Sequence, residues 1–176
     1  MSKAEISTEK RFIEAFEVYS DALFRHSFFR ISDREKALDL VSETFMKTWD
    51  YVVKGKEVDD FRPFLYRVLN NLIIDEYRKK KAVSLDEFLE KEGASEGDVP
   101  ALHFNPKEEI ELHLDAKEAI KAITSLPEKY RQVITMRFVD GFSPKEISEL
   151  VEESENAVSV RIHRGLARLR ETLHYD

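Results

Sequence analysis

The fold is decided by the stretch FRPFLYRVLNNLIIDEYRKKK, residues 61–81. Its apolar residues recur every three or four positions, the spacing that places side chains on one face of an α-helix: Phe61, Phe64, Leu65, Val68, Leu69, Leu72 and Ile73. The opposite face and the end of the stretch carry amide and basic groups beside Tyr66 and Tyr77. The stretch therefore predicts a helix with one buried side and one polar side. The basic end can serve nucleic-acid binding or can complement the dipole of its own helix.

Two further helices are expected upstream. Ser32 and Glu35 have the spacing of a capping box, and an apolar stripe follows them: Ala37, Leu40, Val41, Phe45, Trp49 and Val52. On the other face Asp39 and Glu43 lie one turn apart and repel each other slightly, although a solvated face is the simpler interpretation of these residues alone. From Phe12 onward a core helix is predicted with this inward stripe: Phe12, Phe16, Tyr19, Leu23 and Phe24.

The composition bounds the class of protein. The chain has 176 residues, of which 42% are hydrophobic and 36% charged, with five Gly and five Pro. This mixture is too apolar for wholesale disorder and too poor in turn residues for an all-β fold, so an all-α fold is predicted. Without cysteine, disulfides, thiol catalysis and cysteine-based zinc sites are excluded. No apolar run approaches the roughly 20 residues of a membrane span, and residues 1–11 lack a signal-peptide core, so a cytoplasmic protein without membrane insertion is expected.

The net charge of −7 is unevenly distributed. Residues 1–80 contain 15 basic and 15 acidic groups, and residues 116–176 contain 10 of each, whereas residues 81–115 contain 3 basic and 10 acidic groups. The acidic segment also contains Gly and Pro, with weak apolar periodicity. The sequence therefore predicts two small helical domains, 1–81 and 110–176, joined by an acidic linker, 82–109. The linker can be a plain solvated loop or a functional tether.

The second domain has the pattern of a helix-turn-helix. Its first helices are expected to bury Tyr130, Val133, Ile134 and Phe138, and Gly141 ends them. Ser143 to Glu146 is a complete capping box with Pro in first position, which opens a short helix. A tight turn at residues 152–154 leads to a last helix, predicted to bury Val158, Ile162, Leu166 and Leu169. Arginines clustered on this helix can pair with guanine in a major groove, or form a solvated basic face.

Two motifs in the first domain carry a resemblance to a known family. DLVSETF (residues 39–45), followed by residues 61–78, resembles region two of bacterial sigma factors of the extracytoplasmic-function class, except that Ser42 stands where Gln is usual and Phe64 where Trp is frequent. In that family the first motif docks on the clamp of the largest RNA polymerase subunit, which implies this contact set: Asp39, Ser42, Glu43, Met46 and Lys47. The second helix and the loop before it, residues 54–60, read and open the minus-ten promoter element. The residues implied there are Lys54, Lys56, Arg62, Arg67, Asn70, Asn71, Asp75, Arg78, Lys79 and Lys80.

The second domain extends the resemblance. LPEKYRQVI (residues 126–134), continuing to AVSVRIHR (residues 157–164), is similar to region four of the same class. That region reads the minus-thirty-five element and packs on the flap of the second-largest polymerase subunit. The resemblance implies DNA contacts by Lys145, Asn156, Ser159, Val160, Arg161, His163, Arg164 and Arg168. Of these, His163 and Arg164 are the expected base-edge contacts, while Asn156, Ser159 and Arg161 are expected at phosphates.

The resemblance implies a sigma factor that directs core RNA polymerase to a two-part promoter, with stress linkage as a hypothesis. An anti-sigma factor is a further candidate partner, and no cofactor is expected. A stand-alone regulator would use only the helix-turn-helix, but the even charge balance of residues 116–176 disfavours it. A metal-dependent helical enzyme is disfavoured because only Glu171 and His174 have Glu-x-x-His spacing, whereas a di-iron bundle needs two such pairs. No phosphate-binding loop or nucleophile elbow is present, so an enzyme is not predicted.

Overall fold

A computed structural model of the chain describes residues 3–88 and 112–173, with side chains over 8–81 and 117–173. These residues form helices and no strand, which confirms the all-α fold. The helices are α1 (Lys3–Ile31), α2 (Arg34–Val53), α3 (Phe61–Phe88), α4 (Leu112–Ser125), α5 (Glu128–Ile134), α6 (Pro144–Val151) and α7 (Glu155–Leu173). Within the described chain, residues 3–27 and 33–88 form one compact unit, and residues 28–32 and 112–173 form another.

The core of the first unit lies between α2 and α3. Leu65, Leu69 and Ile73 of α3 are fully buried, and Ala37 of α2 is equally inaccessible. These residues lie on the apolar stripes that the sequence predicted, because helical periodicity brings every third or fourth side chain to the same face. At the joint between the helices, the ammonium of Lys36 lies 3.0 Å from the Glu76 carboxylate. That hydrogen bond and the attraction of the carboxylate raise the pKa of Lys36 above 10.5.

The inward stripe of α2 differs from the predicted one. Trp49 is 37% exposed, whereas Thr44 and Thr48 are fully buried. Each threonine hydroxyl donates to the carbonyl four residues earlier, at 2.7 Å for Thr44 and 2.8 Å for Thr48. Because these bonds satisfy the hydroxyls locally, threonine can occupy core positions at small cost. The expectation that Trp49 is a core residue was wrong.

The start of α2 and the inward side of α1 also differ from expectation. Ser32 adopts a left-handed backbone, φ 57°, and Asp33 caps the helix by accepting the Lys36 N–H at 3.0 Å. The predicted capping box at Ser32 was therefore wrong by one residue. On α1, Phe16 is 50% exposed and only Ala15 and Leu23 of this part of the helix are buried, so Phe16 is a surface residue that packs one side on α2.

The helix α3 continues to Phe88, seven residues past Lys81, where the first domain was expected to end. The predicted linker thus begins inside a helix. The rest of it, residues 89–109, lies outside the described residues, as does Ile110, where the second domain was expected to start. The described part of the second unit begins with α4 at Leu112.

The second unit contains the predicted helix-turn-helix. Ser143 accepts the N–H of Glu146 at 3.2 Å, and the Glu146 carboxylate accepts the N–H of Ser143 at 2.8 Å, which confirms the capping box of α6. Gly141 has φ 75°, the left-handed conformation that suits a helix stop. The turn before α7 contains Glu152, also left-handed at φ 57°, and Ser154, whose hydroxyl accepts the N–H of Ala157. Hydrogen-bonded caps therefore fix where α6 and α7 begin.

A π-helical turn, Thr135–Val139, follows α5 and changes which aromatic residue is buried. Its wider turn carries the N–H of Asp140 to the carbonyl of Thr135, five residues back. As a result Phe138 is 55% exposed, and Phe142 is buried instead. The expectation that Phe138 faces inward was wrong, because the period of 3.6 residues does not hold across the turn.

The centre of α7 packs closely on α5. Val158, Ile162 and Gly165 are buried, whereas Leu166 and Leu169 of the predicted stripe are only half-buried.

None of the helices formed by the described residues is long and apolar enough to cross a membrane.

Candidate nucleic-acid interface

A polar ladder runs along the outward face of α3. Arg67, Asn71, Asp75 and Arg78 are all exposed and lie three or four residues apart, so their side chains point the same way over about 17 Å of helix. Arg78 lies 3.5 Å from the Asp75 carboxylate, which holds both side chains on this face. Lys79 and Lys80 extend the ladder with exposed charge. The face offers guanidinium and amide donors for base edges and ammonium groups for phosphates.

Asn70 does not belong to this ladder. Its side chain is 2% exposed, on the stripe that also carries the buried Tyr66 and Ile73. Residues four before and three after a position share its face of a helix, so Asn70 faces inward together with them. The prediction that Asn70 contacts the promoter is corrected, since a buried amide cannot reach a base. Arg62 is half-buried at the start of α3, beside the loop.

The loop between α2 and α3, residues 54–60, is held at both ends by local contacts. At its start, Lys54 pairs with Asp50 at 2.6 Å, and Gly55 adopts φ 77°. At its end, the Asp60 carboxylate accepts the N–H of Arg62 at 2.9 Å, which caps α3. The ammonium of Lys56 lies 4.8 Å from the centre of the Tyr51 ring, a cation–π distance. Lys54 and Lys56 are exposed, so their charges remain accessible.

A cavity of about 750 Å³ opens beside this loop. Its wall combines two aromatic rings and apolar side chains with two basic and two acidic groups: Thr8, Glu9, Arg11, Trp49, Val52, Val53, Gly55, Lys56, Glu57, Val58 and Phe61. Stacking surfaces with nearby cations are suited to an unpaired base and its phosphates. The sequence indicated the loop, but the contribution of α1 to this cavity could not be read from it.

Arg11 was not singled out by the sequence. Its guanidinium Nη2 donates to the carbonyl of Val58 at 2.9 Å and to the carbonyl of Asp59 at 3.0 Å. These acceptors lie 47 and 48 residues further along the chain, so no local motif connects them to Arg11. A contact of this kind emerges only when α1 is packed against the α2–α3 pair.

The outward face of α7 carries most of the second predicted set. Asn156, Ser159, His163 and Arg164 are exposed, and Val160 is 40% exposed between them. Their spacing places them on one side of the first half of the helix, the half of a recognition helix that contacts bases. Lys145 is exposed at the start of α6. Arg168 is exposed as well, with its guanidinium 5.2 Å from the centre of the Tyr130 ring.

Arg161 has a different environment from its neighbours. Its side chain is 18% exposed, with Nη2 2.8 Å from the Glu153 carboxylate. Nη1 donates to the carbonyl of Lys129 at 3.3 Å. The ion pair and the hydrogen bond link α7 to the turn before it and to α5. The phosphate contact expected of Arg161 stays a prediction.

The residues implied for polymerase contact come together on α2. Asp39, Ser42, Glu43, Met46 and Lys47, with Asp50, line one shallow depression of about 550 Å³. Met46 is 65% exposed at its centre, and Lys47 pairs with Glu43 at 3.1 Å. Leu38, 46% exposed, lies one helical turn before Ser42 and adds exposed apolar surface to α2. An exposed methionine flanked by both signs of charge is typical of an interaction surface.

Clusters of His, Asp and Glu were sought in the part of the chain that the structure describes. No group of three or more His, Asp or Glu side chains there is arranged to hold a metal ion.

Comparison with known families gives two matches. Residues 15–83 match the family described as Sigma-70 region 2, and residues 116–169 match the family described as Sigma-70, region 4. Together these stretches contain both polar faces described above.

Curated relatives and solved structures agree with these matches. The chain is 30% identical to the ECF RNA polymerase sigma factor SigW of Bacillus subtilis over 92% of this chain and 88% of the relative. It is 32% identical to the RNA polymerase sigma factor SigZ of the same organism, over 82% of this chain and 76% of the relative. In fold it is similar to the sigma factor RpoE of Bartonella quintana, solved with the anti-sigma factor NepR, with a TM-score of 0.77, 23% identity and coverage of 95% and 99%.

Proposed function

The chain belongs to the sigma-70 family, in the extracytoplasmic-function class of RNA polymerase sigma factors, and we propose that its two helical units divide the reading of a two-part promoter between them. As a member of this class it is a sigma factor that directs promoter-specific initiation of transcription, which implies binding to core RNA polymerase. The observation that carries the proposal is the pair of exposed polar faces, on α3 and on α7, each within a matched region.

The first unit reads and opens the minus-ten element in this proposal. The ladder formed by Arg67, Asn71, Asp75 and Arg78 faces the duplex, and the cavity beside loop 54–60 receives a base that leaves the stack. Capture of an extruded base is selective for a weak promoter segment, because unpairing requires the least free energy there. Stacking and hydrogen bonds in the pocket offset that free energy. The exposed Lys79 and Lys80 neutralise phosphates.

The second unit reads the minus-thirty-five element. His163 and Arg164 reach base edges in the major groove, Asn156, Ser159 and Lys145 contact the backbone, and Val160 meets a thymine methyl group. Arg168 contacts a phosphate from its place over Tyr130. Residues 1–80 and residues 116–176 each contain equal numbers of basic and acidic groups, so free DNA is bound weakly and polymerase supplies the rest of the affinity.

The depression on α2 docks on the clamp of the largest polymerase subunit, and the second unit packs on the flap of the second-largest. Residues 82–109, most of which lie outside the described residues, form an acidic tether that occupies a basic nucleic-acid channel until RNA displaces it. The division into domains at 1–81, 82–109 and 110–176 remains part of the proposal, supported by the ends of the two matched stretches. The protein acts in the cytoplasm as an initiation factor without an active site or cofactor of its own.

An anti-sigma factor is also proposed as a partner. Support comes from two structures similar in fold, the Bartonella quintana RpoE bound to NepR and CnrH bound to the cytosolic domain of CnrY. Stress linkage of the promoter set follows from the same proposal, since release from such an inhibitor is a means of responding to a signal.

The central test is transcription with purified core RNA polymerase. Adding this protein is expected to start transcripts at a discrete set of promoters, with bases shared in two upstream blocks. The variant Met46→Ala should bind core polymerase more weakly, whereas Lys10→Ala, which changes an exposed side chain on α1, should bind normally. Failure of the wild-type chain to bind core polymerase, or tight specific binding to duplex DNA without polymerase, would contradict the proposal.

A further inference from the structure

The loop at residues 54–60 is hydrogen-bonded to its flanking helices at its two ends. Lys54 and Gly55 close the end of α2, and Asp60 caps the start of α3. Between them, consecutive carbonyls of Val58 and Asp59 are not part of any helix. A segment with free backbone torsions must be ordered when a ligand binds, and the loss of conformational entropy weakens binding. Binding is stronger when the fold already restrains the segment.

Arg11 supplies an anchor in the middle of the loop. A single nitrogen of its guanidinium donates to both carbonyls, 2.9 Å to Val58 and 3.0 Å to Asp59. Hydrogen bonds from a charged donor are stronger than neutral ones. Two such bonds to neighbouring peptide groups restrain the backbone torsions between them. The side chain of Val58, 6% exposed, is held against the core beneath the same turn.

The guanidinium is itself held in place. Its carbon lies 5.6 Å from the centre of the Phe61 ring, a cation–π distance, and Phe61 is the buried first residue of α3. The next residue of α1, Phe12, packs 4.9 Å from Trp49 and 6.3 Å from Phe61, measured between ring centres. Aromatic packing thus fixes this turn of α1 beside the loop, so Arg11 reaches the loop from a rigid element.

Arg11 lies outside the stretch that matches Sigma-70 region 2. It lies before residue 15, where the match to Sigma-70 region 2 begins, and it also lines the cavity beside the loop. We propose that Arg11 is a positioning residue that holds loop 54–60 in its promoter-reading conformation. The inference rests on the proposed function of this loop in capturing a base of the minus-ten element.

The test compares Arg11→Met with Lys10→Met in the full chain bound to core polymerase. Both variants lose one positive charge from the same turn of α1, but Lys10 pairs only with the exposed Glu14, at 4.0 Å. Arg11→Met should slow the opening of a duplex promoter by about tenfold, because it loses two charge-assisted hydrogen bonds in a partly exposed setting. Lys10→Met should open the promoter at the wild-type rate. Hydrogen exchange of the amides in residues 56–59 should be faster in Arg11→Met alone.

Three further results would overturn the inference. Loss of affinity of Arg11→Met for core polymerase, or unfolding of this variant at the assay temperature, would indicate a wider structural role. Its promoter affinity must keep the wild-type slope against salt, since a slope smaller by about one unit would identify Arg11 as a phosphate contact. Wild-type opening and exchange in Arg11→Met would also overturn it. The double variant Lys56→Ala, Glu57→Ala tests the loop itself, and normal promoter opening by that variant would instead refute the proposed function of the loop.

Discussion

Gly165 of α7 lies directly against Ile134 of α5. A Cβ added at Gly165 would come within 2.8 Å of Cγ1 of Ile134, and Ile134 is fully buried. Cγ1 is bonded to the branched Cβ of the buried Ile134, so it has less freedom to move away than the tip of a long flexible side chain. The close approach of α5 and α7 therefore depends on the absence of a side chain at residue 165. This packing fixes the orientation of the exposed polar face of α7 within the second unit.

Gly165→Ala should lower the free energy of unfolding of the second unit by about 1–3 kcal/mol through overpacking. Urea denaturation followed by circular dichroism measures the change, and Ser159→Ala on the exposed face of α7 is the control, expected within about 0.5 kcal/mol of wild type. Adding Ile134→Ala should reduce the loss below the sum of the single changes. Stabilisation by Gly165→Ala, as expected from helix propensity alone, would contradict the close contact.

Stability should depend on the Lys36–Glu76 pair up to alkaline pH. The pKa of Lys36 is raised in the folded chain, so the folded state binds this proton more tightly than the unfolded state. The contribution is fully present below the ordinary lysine pKa of 10.5 and is lost as pH rises through the higher folded value. Denaturation from pH 7 to pH 12 should find wild type more stable than Lys36→Met at neutral pH, with the difference shrinking above pH 10.5. A difference that stays constant across this range would speak against the pair.

Substitution of the neighbouring residues Asn70 and Asn71 on α3 should affect different properties, stability for Asn70 and promoter opening for Asn71. Asn71→Ala should slow promoter opening in a base-dependent manner without changing stability, because Asn71 is exposed on the ladder. Asn70→Ala should lower the free energy of unfolding by about 1–3 kcal/mol, because it removes a buried side chain and leaves a cavity. Promoter opening on templates with altered minus-ten bases and urea denaturation separate the two. Reversed results would return Asn70 to the DNA interface.

Substitution of the two arginines Arg161 and Arg164 on α7 should likewise affect different properties. Arg164→Ala should weaken minus-thirty-five recognition by about 1–3 kcal/mol for the preferred base and less for others. Arg161→Ala should instead destabilise the second unit, because it breaks the 2.8 Å contact with Glu153. Competition between promoter variants in transcription measures the first effect, and thermal unfolding measures the second. Equal losses for Arg164→Ala on every sequence would make it a phosphate contact.

The sequence predicted what depends on neighbours along the chain. Helix periodicity located the buried Leu65, Leu69 and Ile73, and the capping box at Ser143 was read from four consecutive residues. The predictions were wrong where more than one local arrangement suits the same residues. Asp33 caps α2 in place of its neighbour Ser32, and the π-helical turn exposes Phe138. The wider turn has no sequence signal that distinguishes it from an ordinary helix.

The sequence by itself determined the all-α class, the two matched regions and the residue types that can read a promoter, because these follow from helical periodicity and motif spacing. Tertiary structure alone decided which of those residues are accessible. Asn70 is buried and Arg161 pairs with Glu153, while Arg11 reaches a loop 47 residues away. Accessibility and long-range hydrogen bonds arise when helices distant in the chain pack together, and no pattern within one helix records where its neighbours will lie.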